Sequence, residues 1–399
     1  MGVASSSSHI RTAPGLIAGT VLDVYARRYD DPVDRLRFLR KATIRWNTGT
    51  RRWKHVALVA SVGLVLLVLP LSSITNARDL LRHAPPPELV KPSAVAKAAA
   101  ADVWLVEKKD DYEVYSNGLR VETRGAQFHS ERRFRALDRK NPESWTAVRT
   151  DQSELQNRPA GIVFHTTESH TAPFDESHND RLRMLARGVL SYVRAIKAYH
   201  YLIDRFGRVY RVVSEESIAN HAGNSIWADS SNVYMNLNSS FLGIAFEAQT
   251  RPQDGAETIS RAQEHSGRIL TDMLRAKYNL RPENCVTHAQ VSVNPDNFFI
   301  GAHTDWASGF PYTAMGLPDN YAVPSPSMTI FGFSYDNSYV QLSEARLWKG
   351  LLLAQEEQRQ GASVRAAGVA GYRAELRQRY RKLHQALKLT QQQAKEDLE

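Results

Sequence analysis

Between residues 160 and 290, short apolar runs alternate with longer stretches of helical periodicity, and this alternation limits the fold more than any other feature. Ile162–Phe164, Tyr199–Asp204, Val209–Val213, Leu242–Ala248 and Cys285–His288 are strand-sized. Asp180–Lys197 puts Leu182, Leu185, Val189, Tyr192 and Ile196 on one helical face. Ser260–Tyr278 does the same with Ile269, Met273 and Leu274. Strands interleaved with helices predict an α/β fold. Upstream, Tyr112–Glu122 alternates about Asn117-Gly118, a hairpin signal that opens the globular part.

At 399 residues the chain holds about two or three domains of ordinary size. Its single cysteine, Cys285, excludes an internal disulfide and a multi-thiolate zinc finger. The net charge of +9 is concentrated at the ends. Residues 1–55 carry eleven Lys/Arg against four Asp/Glu, and residues 341–399 carry eleven against seven. The middle is slightly acidic, so no nucleic-acid partner is expected.

Residues 56–77 contain no charge over 22 positions. A spanning helix needs about 20. Arg45, Arg51, Arg52 and Lys54 precede the run, which predicts a single-pass anchor in the cytoplasmic membrane with a cytoplasmic N-terminus and a periplasmic or extracellular remainder. A cleavable signal ending near Thr75-Asn76-Ala77 is the rival reading, against which a 55-residue leading segment argues. The expected organisation is a basic segment (1–55), the anchor (56–77), a Pro/Ala-rich linker (78–109), a catalytic domain (110–325), and a short β piece at Met328–Tyr335 with a helical tail (326–399). Self-association through that tail is a further expectation.

Three side chains stand out chemically. His165 ends the apolar strand GIVFHTT and His288 ends a second, CVTHAQ. Asp305 follows in the loop AHTDWASGFP. Cys285 lies three residues before His288, on the opposite strand face, and is read as a small buried hydrophobe. Two imidazoles and a carboxylate suit a catalytic zinc ion, but separations of 123 and 17 residues define no site by themselves.

The blocks GIVFHTTES, AYHYLIDRFGRVYRVV, NHAGNS, FLGIAFEAQ and THAQVSVNP with AHTDWASGFPY occur in that order. Over about residues 158–318 the chain resembles the zinc-dependent N-acetylmuramoyl-L-alanine amidases, the superfamily of phage lysozyme-type amidases and peptidoglycan recognition proteins. The resemblance implies a mixed central β-sheet flanked by helices, with Zn2+ held by His165, His288 and Asp305. It also implies catalytic roles near the zinc water for Tyr199 and Glu247, and a groove or substrate contact for His221. Trp227 and Trp306 are read as groove residues stacking on sugar, with core packing as the alternative. Where many members carry a lysine two residues before the aspartate, this chain has His303, a candidate oxyanion donor. Where an acidic residue usually follows the second ligand by two, it has Gln290.

The function implied is hydrolysis of the amide between N-acetylmuramic acid and L-alanine by a zinc-activated water, with peptidoglycan or muropeptides as partner. The alternative is a non-catalytic muropeptide-binding protein of the same fold.

Overall fold

In β5 (Gly161–Thr166) and β10 (Phe241–Phe246) every residue is buried, because both strands lie inside a sheet covered on both faces. Their sequences are therefore continuous apolar runs rather than alternating ones. The computed structural model describes residues 102–146, 155–250, 258–365 and 368–396. These all belong to one of the chain's two compact units, Ala94–Glu399. The expected basic segment, the 56–77 run and residues 78–101 of the linker lie outside the described residues.

In chain order the other elements are β1 (Leu105–Lys108), β2 (Tyr112–Tyr115), β3 (Arg120–Glu122), β4 (Leu137–Asp138), α1 (Asn179–Ala195), β6 (Tyr201–Ile203), β7 (Val209–Arg211), β8 (Ile226–Ala228) and β9 (Asn232–Met235). After these come α2 (Leu237–Ser240), α3 (Arg261–Tyr278), β11 (Cys285–Thr287), α4 (His288–Val291), β12 (Val293–Asn294), β13 (Phe299–Ile300), α5 (Pro326–Phe331), α6 (Asn337–Val364) and α7 (Val369–Glu396).

The main sheet has eight strands in the order β1-β2-β3-β7-β6-β10-β5-β11. β6, β10, β5 and β11 are parallel, while β1, β2 and β3 form an antiparallel meander. The sheet is thus mixed, as the resemblance implies. The hairpin turn between β2 and β3 uses a positive φ only at Gly118.

One face of the sheet presents Ile162, Phe164, Tyr201, Ile203, Leu242, Ile244 and Phe246 to Leu270, Met273 and Leu274 of α3. The other places Val163 and Val286 against Trp227 and Leu237, and Leu202 and Ala245 against Val193 of α1. His165 pairs in register with Ala245 and so lies on this second face, at the carboxyl end of the parallel strands. Cys285 is buried among the residues of the first face.

The stripe on α1 differs from the expected one. Leu182, Ala186 and Val193 are buried, whereas Tyr192 is 65% and Ile196 44% exposed. Val193, with Val189 and Leu190 partly buried beside it, makes the packed face, which leaves Tyr192 outward.

The segment expected as β-like at Met328–Tyr335 is helical over its first half, Met328–Phe331, and β-like only at Ser334, which bridges to Phe299. Pro326 opens α5, and Gly332 at φ 70° closes it. The tail helices then fold back onto the α/β body. Leu351, Ala354, Tyr380 and Leu383 join the main core, and Gln358 Nε2 donates to the Met328 and Phe333 carbonyls. Much of the tail's apolar surface is thus covered within the chain, although Leu352, Val364 and Leu389 stay exposed, and the expected self-association draws no support from the fold.

The membrane expectation is corrected. Among the described residues, no helix is long and apolar enough to cross a membrane. α6 and α7 have 28 residues each, but charged and Gln residues recur along both. The transmembrane element, the single-pass placement and the membrane partner therefore drop out of the description.

Candidate metal centre

His165, His288 and Asp305 reach one point from three separate elements. β5 ends there and supplies His165. β11 ends beside it, and His288 is the first residue of α4. The turn into α4 is held by a capping box in which Thr287 and Gln290 exchange side-chain and backbone hydrogen bonds. Gln290 also accepts from Tyr312 Oη at 2.5 Å and donates to the Asn320 carbonyl. Donation from Nε2 requires an amide, rather than an acid, at that position. The Asp305 loop is tied to the same turn, because its carbonyl accepts from Ala289 N.

The Asp305 carboxylate faces both rings. Oδ2 lies 3.0 Å from His165 Nδ1 and Oδ1 lies 2.8 Å from His288 Nδ1. All three residues are buried, and one donor atom from each falls within 4.8 Å of the others. Burial pushes His165 down to about 4, with His288 adding to the effect, so the ring is neutral at pH 7. Burial opposes ionisation of Asp305, but His288 and the contact with His165 outweigh it and hold the carboxyl well below its ordinary range. Two imidazole nitrogens and one anionic oxygen form a donor set that fits zinc. The three residues could hold one metal ion.

Tyr199 and Trp306 both take left-handed backbone conformations, at φ 63° and 58°, which is unusual for large side chains. The Tyr199 ring packs on His165 with centroids 5.0 Å apart. Burial, then the charge of Asp305, raises its phenol well above the ordinary value. His303 is exposed and stacks on His288 at 4.5 Å. Burial of its ring and the nearby His288 lower its pKa. His221 is buried, with Nδ1 3.2 Å from His165 Nε2.

The other expected residues make their contacts elsewhere. Glu247 turns its carboxylate to the backbone N–H of Arg205, at 3.2 Å. The β10 residue beside His165 is Ala245. Trp227 is 1% exposed and donates Nε1 to Asn284 Oδ1. Trp306 is 2% exposed and packs edge-on against Phe246 and Phe310. Both indoles are core residues here, which removes the expected sugar-stacking role.

Two supports of the site escape a sequence reading. Asn238 Oδ1 accepts from the backbone N–H groups of His221, Ala222 and Gly223 and so fixes that loop. Tyr339, from the tail, donates Oη to the Ala289 carbonyl beside His288. One signal was available for the His221 packing, a glycine inside a buried strand, Gly243.

Residues 155–307 match the family described as N-acetylmuramoyl-L-alanine amidase. This domain belongs to the N-acetylmuramoyl-L-alanine amidase superfamily. The amidase domain is similar in fold to several solved structures at low identity. AmiD, an N-acetylmuramyl-L-alanine amidase from E. coli, is 18% identical, with 52% of this chain and 83% of that chain covered and a TM-score of 0.33. AmpDh3 from Pseudomonas aeruginosa is 20% identical, with 51% and 87% covered and a TM-score of 0.32. Peptidoglycan recognition protein SD from Drosophila is 18% identical, with 44% and 85% covered and a TM-score of 0.27. No curated protein matches the chain significantly.

Proposed function

We propose that the chain hydrolyses peptidoglycan at the amide between N-acetylmuramic acid and L-alanine, using a zinc ion held by His165, His288 and Asp305. The activity is placed in residues 110–325, with 326–399 as packed support. The observation that carries this reading is the convergence of three buried donor atoms within 4.8 Å at the end of the parallel strands. A zinc ion bound there supplies a Lewis acid that polarises the scissile carbonyl and lowers the pKa of water to about 7.

The chain's own groups supply the rest. Tyr199, packed on His165, keeps its phenol proton and can donate it in a hydrogen bond to the developing oxyanion. His303, exposed at the mouth of the site, offers a second N–H donor. Asp305 stays ionised between the two rings and keeps both Nδ1 atoms turned inward. The proton-accepting role expected of Glu247 draws no support from its contact with Arg205.

That placement favours a second reading. With Ala245 beside His165 and one Glu247 oxygen held by the Arg205 N–H, a muropeptide could be bound without being cut.

One experiment separates the two. The zinc-loaded chain is incubated with purified peptidoglycan, and the soluble products are identified by mass spectrometry. Free stem peptides with an N-terminal L-alanine, lost on chelation and restored by Zn2+, are the expected result. Retention of muropeptides without release would establish the recognition reading instead.

A further inference from the structure

The ring of His221 lies behind His165, on the side away from Asp305, in a setting that fixes its proton. His221 Nε2 is 3.3 Å from the Phe241 carbonyl. A carbonyl only accepts, so the His221 proton sits on Nε2 and its Nδ1 carries a lone pair. That lone pair faces His165 Nε2 at 3.2 Å. That lone pair can accept from His165 Nε2–H, and once a metal takes the place of the proton that Nδ1 shares with the Asp305 carboxylate at 3.0 Å, His165 keeps its proton on Nε2 and turns the Nδ1 lone pair to the metal.

The His221 ring is itself locked in place. Its loop is held by Asn238 Oδ1. Its flat face lies on Gly243, where a β-carbon would come within 2.7 Å of His221 Cγ. Gly243 in turn is fixed on both sides by His200, whose Nδ1 accepts from Gly243 N and whose backbone N donates to the Gly243 carbonyl. A β-carbon at position 243 would displace the ring, so the glycine and the histidine form one device.

We infer that His221 is a positioning residue for the metal centre, fixing His165 in the Nε2–H tautomer so that Nδ1 is its ligating atom. A metal-bound histidine commonly anchors its other nitrogen on a carboxylate or carbonyl. Here that anchor is an imidazole oriented by the backbone. The inference rests on the metal reading proposed above, and it replaces the substrate contact expected of His221.

The test uses the full chain and Co2+ as probe, titrated against a competing chelator while the cobalt absorption spectrum is recorded. His221→Phe keeps a flat ring on Gly243 but neither accepts nor donates. His221→Asn keeps an acceptor near the place of Nδ1. The expected result is Co2+ binding weakened about 10–100-fold in H221F, with a changed spectrum, and recovery of most of the loss in H221N. Wild-type affinity and spectrum in H221F would overturn the inference, and so would a loss that H221N leaves uncorrected, which marks packing alone. Should H221F not fold, nitrogen-15 NMR of the zinc-loaded wild type decides: a His165 proton on Nε2 supports the inference and one on Nδ1 overturns it. A wild-type chain that binds no Co2+ overturns the metal reading itself, and this inference with it.

Discussion

The Glu247 carboxylate accepts from Arg205 N at 3.2 Å, and its Oε1 is buried without a hydrogen-bond partner among the described residues. Burial raises its pKa from the ordinary 4.5 to about 7, and the Arg205 N–H offsets only part of that. The folded state therefore holds a proton that the unfolded chain releases above about pH 4.5. Stability from this group is full below pH 4.5, falls as pH rises toward 7, and is level beyond. The shift is worth at most ~3 kcal/mol. Glu247→Gln is expected to raise the unfolding temperature at pH 8 relative to wild type and to leave it nearly unchanged at pH 4. Thermal unfolding at the two pH values checks this, and an equal shift at both would contradict it.

Tyr339 ties the tail to the site. Its hydroxyl is the partner of the Ala289 carbonyl, and its ring fills the space where Gly301 lacks a side chain. Tyr339→Phe leaves that carbonyl without its partner, at a cost of ~1–3 kcal/mol. Denaturant unfolding is expected to show this loss, with a few-fold weaker Zn2+ affinity because the α4 turn that carries His288 loosens. Removing residues 337–396 uncovers the aromatic cluster of Phe298, Phe331 and Phe333 that Tyr380 packs against. The truncated chain is expected to lose its cooperative unfolding transition.

Trp227→Phe tests whether that indole is core or groove. Its Nε1 donates to Asn284, and its ring lies with Val163, Phe241 and Val286. The expected outcome is a destabilisation of ~1–3 kcal/mol with KM for muropeptide unchanged within about twofold. A large rise in KM at unchanged stability would return Trp227 to the groove.

The sequence made the sheet legible because β5, β10 and β11 are buried on both faces and so read as bare apolar runs. It also made legible the three residue types of the metal centre, since each sits at a strand end or in the loop that follows. What it could not convey was direction. Tyr199 reads as the start of a strand but takes a left-handed turn onto His165. Glu247 alternates onto the His165 face yet aims at the 204–208 turn. Trp227 and Trp306 look like groove aromatics because composition does not distinguish a buried indole from an exposed one. The α1 stripe differs because the buried face runs through Leu182, Ala186 and Val193, and Ala186, a small residue, carries little hydrophobic signal. The tail reads as self-associating because its partners, Phe298, Phe331 and Phe333, lie tens of residues away in the chain.

The most direct measurement of the central claim is the zinc content of the purified full chain, compared with His165→Ala, His288→Ala and Asp305→Ala. The account predicts one zinc per wild-type chain and a loss of at least about 100-fold in affinity for each variant, with the fold retained by circular dichroism. A wild-type chain free of zinc after loading, or three variants that still bind one ion each, would contradict it.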